Sequence, residues 1–264
     1  MRLIDSHAHI NDAAFDADRA AVINRAFDAG LSHIIEIGCE ENEWQPALDL
    51  AAAYPEKIYC ALGLHPIRAK DFKEDFPARL KTLLAAPAAR AVGEAGLDYA
   101  YLESSPKEIQ HYVFEVMLKL AAEVQKPIVL HCRKATAEND YSAYDDMFAL
   151  LKNANCAGGI MHCFSGRWQD AVKALDMGFL LGVTGIVGYK RNANLRETFK
   201  KAGLKNLVVE TDCPYLPPQS KRGKRNEPAN IPEIAADLAA AVGETLAKTA
   251  DITTQNTMRV FKLD

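Results

Sequence analysis

The sequence predicts an α/β fold, a (β/α)8 TIM barrel formed by residues 1–264 as one domain, on three observations. Eight short apolar runs alternate with amphipathic helical patterns along 264 residues, close to the size of about 250 residues typical of such a barrel. Most runs are continuously hydrophobic, as strands covered on both faces require. Six ligand-type side chains, His7, His9, Glu94, His131, His162 and Asp212, fall at the C-terminal ends of the first, fourth, fifth, sixth and eighth runs. A closed barrel gathers those ends around one mouth, whereas an open sheet spreads them along an edge.

The first strand, 3–7, begins almost at the N-terminus, so no signal peptide is expected before it. It leads into Asp5-Ser6-His7-Ala8-His9, where alternation turns both histidines to one side. A helix over 18–29 ends at Gly30, a suitable C-cap. Strand 33–38 is followed by helix 43–53, which stops ahead of Pro55, and strand 58–64 runs into His65-Pro66. No helix is assigned between residues 66 and 90. Strand 91–94 ends on Glu94, between Gly93 and Gly96. The longest helix, 106–124, starts with Pro106, which suits a first helical turn. Strand 128–131 ends on His131, helix 144–152 follows, and strand 159–162 ends on His162. Helix 169–176, strand 179–183, helix 195–202 (stopped by Gly203) and strand 207–211 lead to Asp212. Residues 214–230 form a long loop rich in Pro, Lys and Arg, and helices 231–242 and 253–261 close the chain.

The composition, 49% hydrophobic and 25% charged, is that of a soluble globular protein. A net charge of -4 excludes a polycation, so an anionic partner must be met by a local basic patch or by metal. No apolar run approaches the roughly 18 residues of a membrane span, and a cytoplasmic location without membrane contact is expected. The six cysteines, Cys39, Cys60, Cys132, Cys156, Cys163 and Cys213, form no CxxC pair, and a chain of this size needs no disulfide framework. Cys132, Cys163 and Cys213 each follow a candidate ligand, so alternation should turn them outward as buried, reduced thiols.

The six candidate ligands define the chemistry. A His-x-His pair at a strand end suits a metal, because imidazole is the commonest protein ligand near neutral pH. A carboxylate such as Glu94 at a buried strand end is costly unless paired or metal-bound. One ion with an open catalytic position needs three or four protein ligands. Four imidazoles and two carboxylates therefore match two divalent ions sharing a bridging group. Ions roughly 3.5–4 Å apart can activate a water and stabilise a leaving oxygen at phosphorus. A nitrogen and oxygen donor set without thiolate suits Zn, Mn, Co or Fe better than Ca, and Mg is also admissible.

Six ordered motifs carry a resemblance. Asp5-Ser6-His7-Ala8-His9, Gly63-Leu64-His65-Pro66, Gly93-Glu94-Ala95-Gly96-Leu97-Asp98, His131-Cys132-Arg133, His162-Cys163-Phe164-Ser165-Gly166 and Glu210-Thr211-Asp212-Cys213-Pro214-Tyr215-Leu216 resemble the TatD family of metal-dependent deoxyribonucleases, amidohydrolase-like metal barrels. The likeness runs from Asp5 to about Pro228. It implies a (β/α)8 barrel that hydrolyses phosphodiesters, often from a DNA 3′ end, with DNA as substrate. It implies that His7 and His9 hold one ion, that His131 and His162 hold the other, that Glu94 bridges them and that Asp212 completes the first site. Lys134, Met117 and Lys221 depart from the family pattern without touching a candidate ligand.

Other residues are assigned around that centre. Lys221, Arg222, Lys224 and Arg225 follow the eighth strand, where barrels often place phosphate-binding groups. Lys190 and Arg191, after the seventh strand, can join them. His65 is a candidate for substrate binding or for supporting the ligands, and Glu210, two residues before Asp212, faces the same side and supports the site. Tyr99, Tyr101 and Phe164 lie near ligand strands, with packing preferred to base stacking. Asp212 is expected to orient the attacking water and take its proton, with Glu94 beside it in the catalytic pair. The same residues admit two other readings: a metal hydrolase acting on an ester, lactone or aminoacyl linkage, and a barrel kept only for binding. The oligomeric state is left open, a monomer being compatible with the sequence.

Overall fold

A computed structural model describes residues 2–137, 140–154 and 158–263. Eight strands form one sheet in chain order, each parallel to the next: β1 (Leu3–Ala8), β2 (Leu31–Gly38), β3 (Ile58–Leu62), β4 (Ala89–Asp98), β5 (Ile128–Arg133), β6 (Gly159–Met161), β7 (Phe179–Val183) and β8 (Leu207–Val209). The ring closes between β8 and β1. There the Asp212 N–H donates to the His7 carbonyl (2.9 Å), the His9 N–H donates to the Cys213 carbonyl (2.9 Å), and Ala8 bridges Cys213. The predicted barrel is thus the observed one. Strands β1, β6 and β8 end before His9, His162 and Asp212, so these three side chains stand on the first residues of the mouth loops.

Helices α1 (Arg19–Asp28), α2 (Trp44–Ala53), α3 (Phe76–Leu83), α4 (Lys107–Val124), α5 (Ser142–Lys152), α6 (Trp168–Asp176), α7 (Ala193–Ala202), α8 (Ile231–Val242) and α9 (Leu246–Phe261) surround the strands. Two differ from expectation. Helix α3 is absent from the sequence assignment because its eight residues bury only Phe76 and Leu80, too few to show a period. Helix α9 starts at Leu246 rather than at 253, capped by Thr245, whose hydroxyl accepts from the Lys248 N–H (3.3 Å). Its inner face carries Thr249, Thr253 and Thr257, polar by composition yet fully buried. The hydroxyls of Thr253 and Thr257 donate back to the carbonyls of Thr249 (2.8 Å) and Thr253 (2.9 Å), so the apolar signature is hidden while the helix still packs.

One inward residue from each strand (Ile4, Ile35, Tyr59, Ala91, Val129, Ile160, Leu180 and Val208) fills the barrel, and Phe261 and Leu263 cover its lower end. This row sets the phase of every strand, because side chains two apart share a face. Counting upward in steps of two from Val129, Ile160, Val208 and Tyr59 arrives at His131, His162, Glu210 with Asp212, and His65. Counting from Ile4 or from Ala91 misses His7 and Glu94 by one. Both strands carry the correction. Between Asp5 and Ala8, β1 has three steps against two in β2, and between Val92 and Ala95, β4 has three against two in β5. Each is a bulge, and one extra residue flips all that follows to the other face. The second bulge depends on Gly93, whose φ is +136° and whose Cβ position lies 2.6 Å from the Val129 carbonyl oxygen, closer than any real side chain tolerates.

Candidate metal centre

The mouth is held together by a buried carboxylate that the sequence reading left without a role. Asp5 Oδ1 accepts from the N–H groups of His7 (3.2 Å) and Thr211 (2.9 Å), and Oδ2 accepts from the Thr211 hydroxyl (2.5 Å). This ties the His7 end of the barrel to the Asp212 end. Burial raises the Asp5 carboxyl to about 8 despite the Thr211 bonds. Glu36 acts similarly on the loop after β1, accepting from the N–H groups of Ile10 (2.7 Å) and Asn11 (3.0 Å).

Six predicted ligands and His65 converge. Glu94 stands at the middle, with its two oxygens turned to different groups. Oε2 lies 3.2 Å from His7 Nε2 and 3.9 Å from His9 Nε2. Oε1 lies 2.6 Å from His131 Nδ1, 3.7 Å from His65 Nε2 and 3.8 Å from His162 Nε2. Asp212 Oδ1 lies 3.4 Å from His9 Nε2, 3.6 Å from His162 Nε2 and 3.8 Å from His7 Nε2. The donors fall into two lobes joined by Glu94: His7, His9 and Asp212 on one side, His131 and His65 on the other, with His162 between them.

Five imidazoles around two carboxylates cannot all carry protons. Burial opposes charge on every one of them. In His65 it combines with the neighbouring His131 to push the ring down to about 3, and in His7 burial and His162 act the same way. Against burial, Asp98 and Glu94 hold His131 up at about 9, and Glu210, Glu94 and Asp212 hold His162 at about 9. His9 is likewise raised, burial being outweighed by Asp212 and Cys39. Both carboxylates sit below their usual range, because the surrounding imidazoles outweigh the burial that would raise them.

These residues fit a metal. His7 Nε2 and His9 Nε2 face each other at 3.2 Å, as do His65 Nε2 and His131 Nδ1. Two ring nitrogens so placed need a shared proton or a shared cation between their lone pairs. Four overlapping triads, among them His7-His9-Asp212, His7-Glu94-His162 and His65-Asp98-His131, present donor atoms within 4.8 Å of one another. The all-nitrogen and oxygen core suits a divalent ion of borderline hardness.

The surroundings differ from expectation in three respects. First, Asp98 joins the site: its Oδ2 lies 3.1 Å from His131 Nε2, the ring edge opposite Glu94. Its backbone is clamped by buried Gln110, whose Oε1 accepts from the Asp98 N–H (2.7 Å) and whose Nε2 donates to the Asp98 carbonyl (3.0 Å). Asp98 was findable, since an even offset from Glu94 puts it on the same face. Second, Cys163 does not turn outward. Strand geometry stops at Met161, Cys163 takes a left-handed φ of 44°, and its thiol is grouped with His162 and Asp212, 3.6 Å from the Thr184 hydroxyl. Cys132 and Cys213 are buried as expected, and Cys156 lies outside the described residues. Third, the loop cations are unequally free. Arg225 pairs with Asp18 (2.8 Å) and pins the loop to α1, Lys221 donates to Asn230, and the Arg222 guanidinium lies 5.2 Å above the Tyr189 ring. Glu210 Oε1 lies 2.8 Å from His162 Nδ1 at an angle poor for a linear hydrogen bond, while accepting the Cys163 N–H (2.6 Å). Tyr99 and Phe164 are buried, which removes them as stacking surfaces, and Tyr101 is exposed.

A carboxylate behind a ligating imidazole fixes the ring and strengthens its basicity, and its loss typically costs 10- to 100-fold in metal affinity. Asp98→Asn is therefore expected to weaken one metal equivalent by about 10- to 100-fold and leave the other unchanged in a competition titration against a chelator. Equal affinity for every equivalent would reduce Asp98 to a backbone role.

The chain matches the family model described as TatD related DNase over residues 4–262. A Bacillus subtilis relative named YabD, an uncharacterized metal-dependent hydrolase, is 38% identical over 264 residues, covering 99% of this chain and 100% of its own. The 3'-5' ssDNA/RNA exonuclease TatD of Edwardsiella piscicida is 34% identical, with 99% and 100% covered. Among solved structures, the Escherichia coli TatD homolog YjjV superposes with a TM-score of 0.90 at 29% identity, covering 99% of this chain and 98% of that one.

Proposed function

The chain belongs to the family of TatD related DNases, a metal-dependent hydrolase, and from that premise we propose that it removes nucleotides from the 3′ end of single-stranded DNA at a centre of two divalent ions. The observation that carries this reading is the division of Glu94, with Oε1 toward His131, His65 and His162 and Oε2 toward His7 and His9. A carboxylate so split is placed to bridge two cations.

On this reading His7, His9 and Asp212 hold one ion and His131 and His162 the other, with His65 as a further donor to the second and Mg, Mn or Zn as the metals to test. Bound there, the ions supply a water of lowered pKa and neutralise charge on the phosphoryl oxygens. Asp212, the most open of the carboxylates (side chain 14% exposed against 3% for Glu94), accepts the water's proton. Its low pKa keeps it ionised and ready to accept. Glu210 and Asp98 hold the rings of His162 and His131 in place. Lys221, Arg222 and Lys224 contact the phosphates of the strand, and Arg225 anchors the loop that carries them. No helix among the described residues is long and apolar enough to cross a membrane, and the five described cysteines are unpaired, which supports action in the reducing cytoplasm.

The test is metal-loaded protein incubated with 3′-labelled and 5′-labelled single strands. Stepwise loss from the 3′ end, abolished by chelation, supports the proposal. Intact DNA alongside hydrolysed carboxyl esters would move the protein to ester, lactone or aminoacyl substrates. The loop is tested separately. Reversing Lys221 and Arg222 to Glu is expected to raise KM for DNA about tenfold or more and to make its salt dependence shallower by roughly one log unit per log unit. Unchanged values would leave the loop as a solvated surface.

A further inference from the structure

Six large hydrophobic side chains are substantially exposed among the described residues: Tyr101, Leu102, Ile109, Tyr112, Trp168 and Tyr215. The first four line the approach to α4 and its first turns, and Trp168 begins α6 beneath the Lys201 ammonium. Tyr215 is the one that packs on a metal-ligand candidate. Its ring stands edge-on to His9, 6.2 Å between centroids, yet 54% of the residue is open to solvent.

The ring is exposed but fixed. Its hydroxyl donates to Asp12 Oδ2 (3.2 Å), its N–H donates to the Asp212 carbonyl (2.9 Å), and its carbonyl accepts from Nδ2 of buried Asn226 (2.7 Å). Asn226 also donates to the Thr211 carbonyl (2.9 Å), so ring and centre move as one body. An aromatic that gains little from burial and is still held at both ends offers a preorganised flat face. The residues that follow lead directly into the loop of Lys221, Arg222 and Lys224, which can track a phosphate backbone. A flat π-face next to phosphate contacts is the combination that takes an unpaired base, since every base can stack and none need be read by hydrogen bonds.

We propose that Tyr215 is the stacking platform for the base of a nucleotide flanking the scissile phosphate, selecting unpaired ends without regard to sequence. This rests on the nuclease reading above. In a duplex both faces of an internal base are already stacked, so the platform is reached only by a frayed or single-stranded end.

The experiment compares metal-loaded wild type, Tyr215→Ala and Tyr215→Phe on two single strands, one complete and one lacking the bases of its last two 3′ nucleotides. Tyr215→Ala is expected to lose about tenfold or more in kcat/KM on the complete strand, to fall less than about twofold on the abasic one, and to keep its metal content. Tyr215→Phe keeps the face and should retain the preference for the complete strand. An equal loss on both strands would make the ring a mere support for His9, and no loss on either would leave it a surface residue. Both results overturn the stacking site while leaving the nuclease intact. A wild type that cuts neither strand but hydrolyses esters would overturn the nuclease reading itself, and the platform with it.

Discussion

Glu94→Ala is expected to lose metal and activity together, with kcat/KM falling on the order of a thousandfold, or about 4 kcal/mol of transition-state stabilisation. Glu94 is 2% exposed and lies within 3.9 Å of ring nitrogens from four histidines and 2.6 Å from one of them. No other side chain faces both lobes through separate oxygens. Its removal also leaves the cluster of imidazoles without its central countercharge, so the metal-free variant should favour neutral rings. Metal analysis beside steady-state kinetics checks this. Glu94→Gln serves as the folding control, since it keeps the volume and one carbonyl oxygen and should retain metal on one side. Two bound ions with full activity in Glu94→Ala would remove the bridging assignment.

Asp212→Asn is expected to act differently, lowering kcat by about 10²- to 10⁴-fold, the usual contribution of a positioned base, with KM for single-stranded DNA changed less than about threefold. The amide keeps the shape and one oxygen donor near His9 and His162 but cannot take a proton. Because the imidazoles around Asp212 hold its carboxyl below the ordinary range, the wild type should keep its proton acceptor down to mildly acidic pH and lose it only on further acidification. That acidic limb of kcat should be absent from the residual activity of the variant. A kcat within tenfold of wild type, with the metals bound, would move the base elsewhere. The two variants separate holding the centre together from moving a proton at it.

Much of this was readable from the chain because barrels impose simple rules. Strands buried on both faces must be apolar throughout, and chemistry must gather at their C-terminal ends. A polar residue closing an apolar run is therefore conspicuous, and His131, His162 and Asp212 stand out on that ground alone. Helices were readable only where an apolar stripe exists. The threonine-lined inner face of α9 and the two buried anchors of α3 do not announce themselves, because a hydroxyl bonded back to its own helix is polar in composition and apolar in effect.

Ligand identity, strand order and the place of the mouth thus follow from residue type and period. The direction of two central side chains does not. Alternation from Ile4 and Ala91 turns His7 and Glu94 away from the mouth, and only the bulges of β1 and β4, set by pairing with β2 and β5, bring them in. The same holds for Cys163, whose left-handed backbone points the thiol where alternation forbids it, and for Arg225, whose charge is taken by Asp18 on a distant helix. Period is a local property of the chain and can be read along it. Register is a relation between neighbouring strands, fixed by hydrogen bonds across the sheet, and it exists only once the barrel has closed.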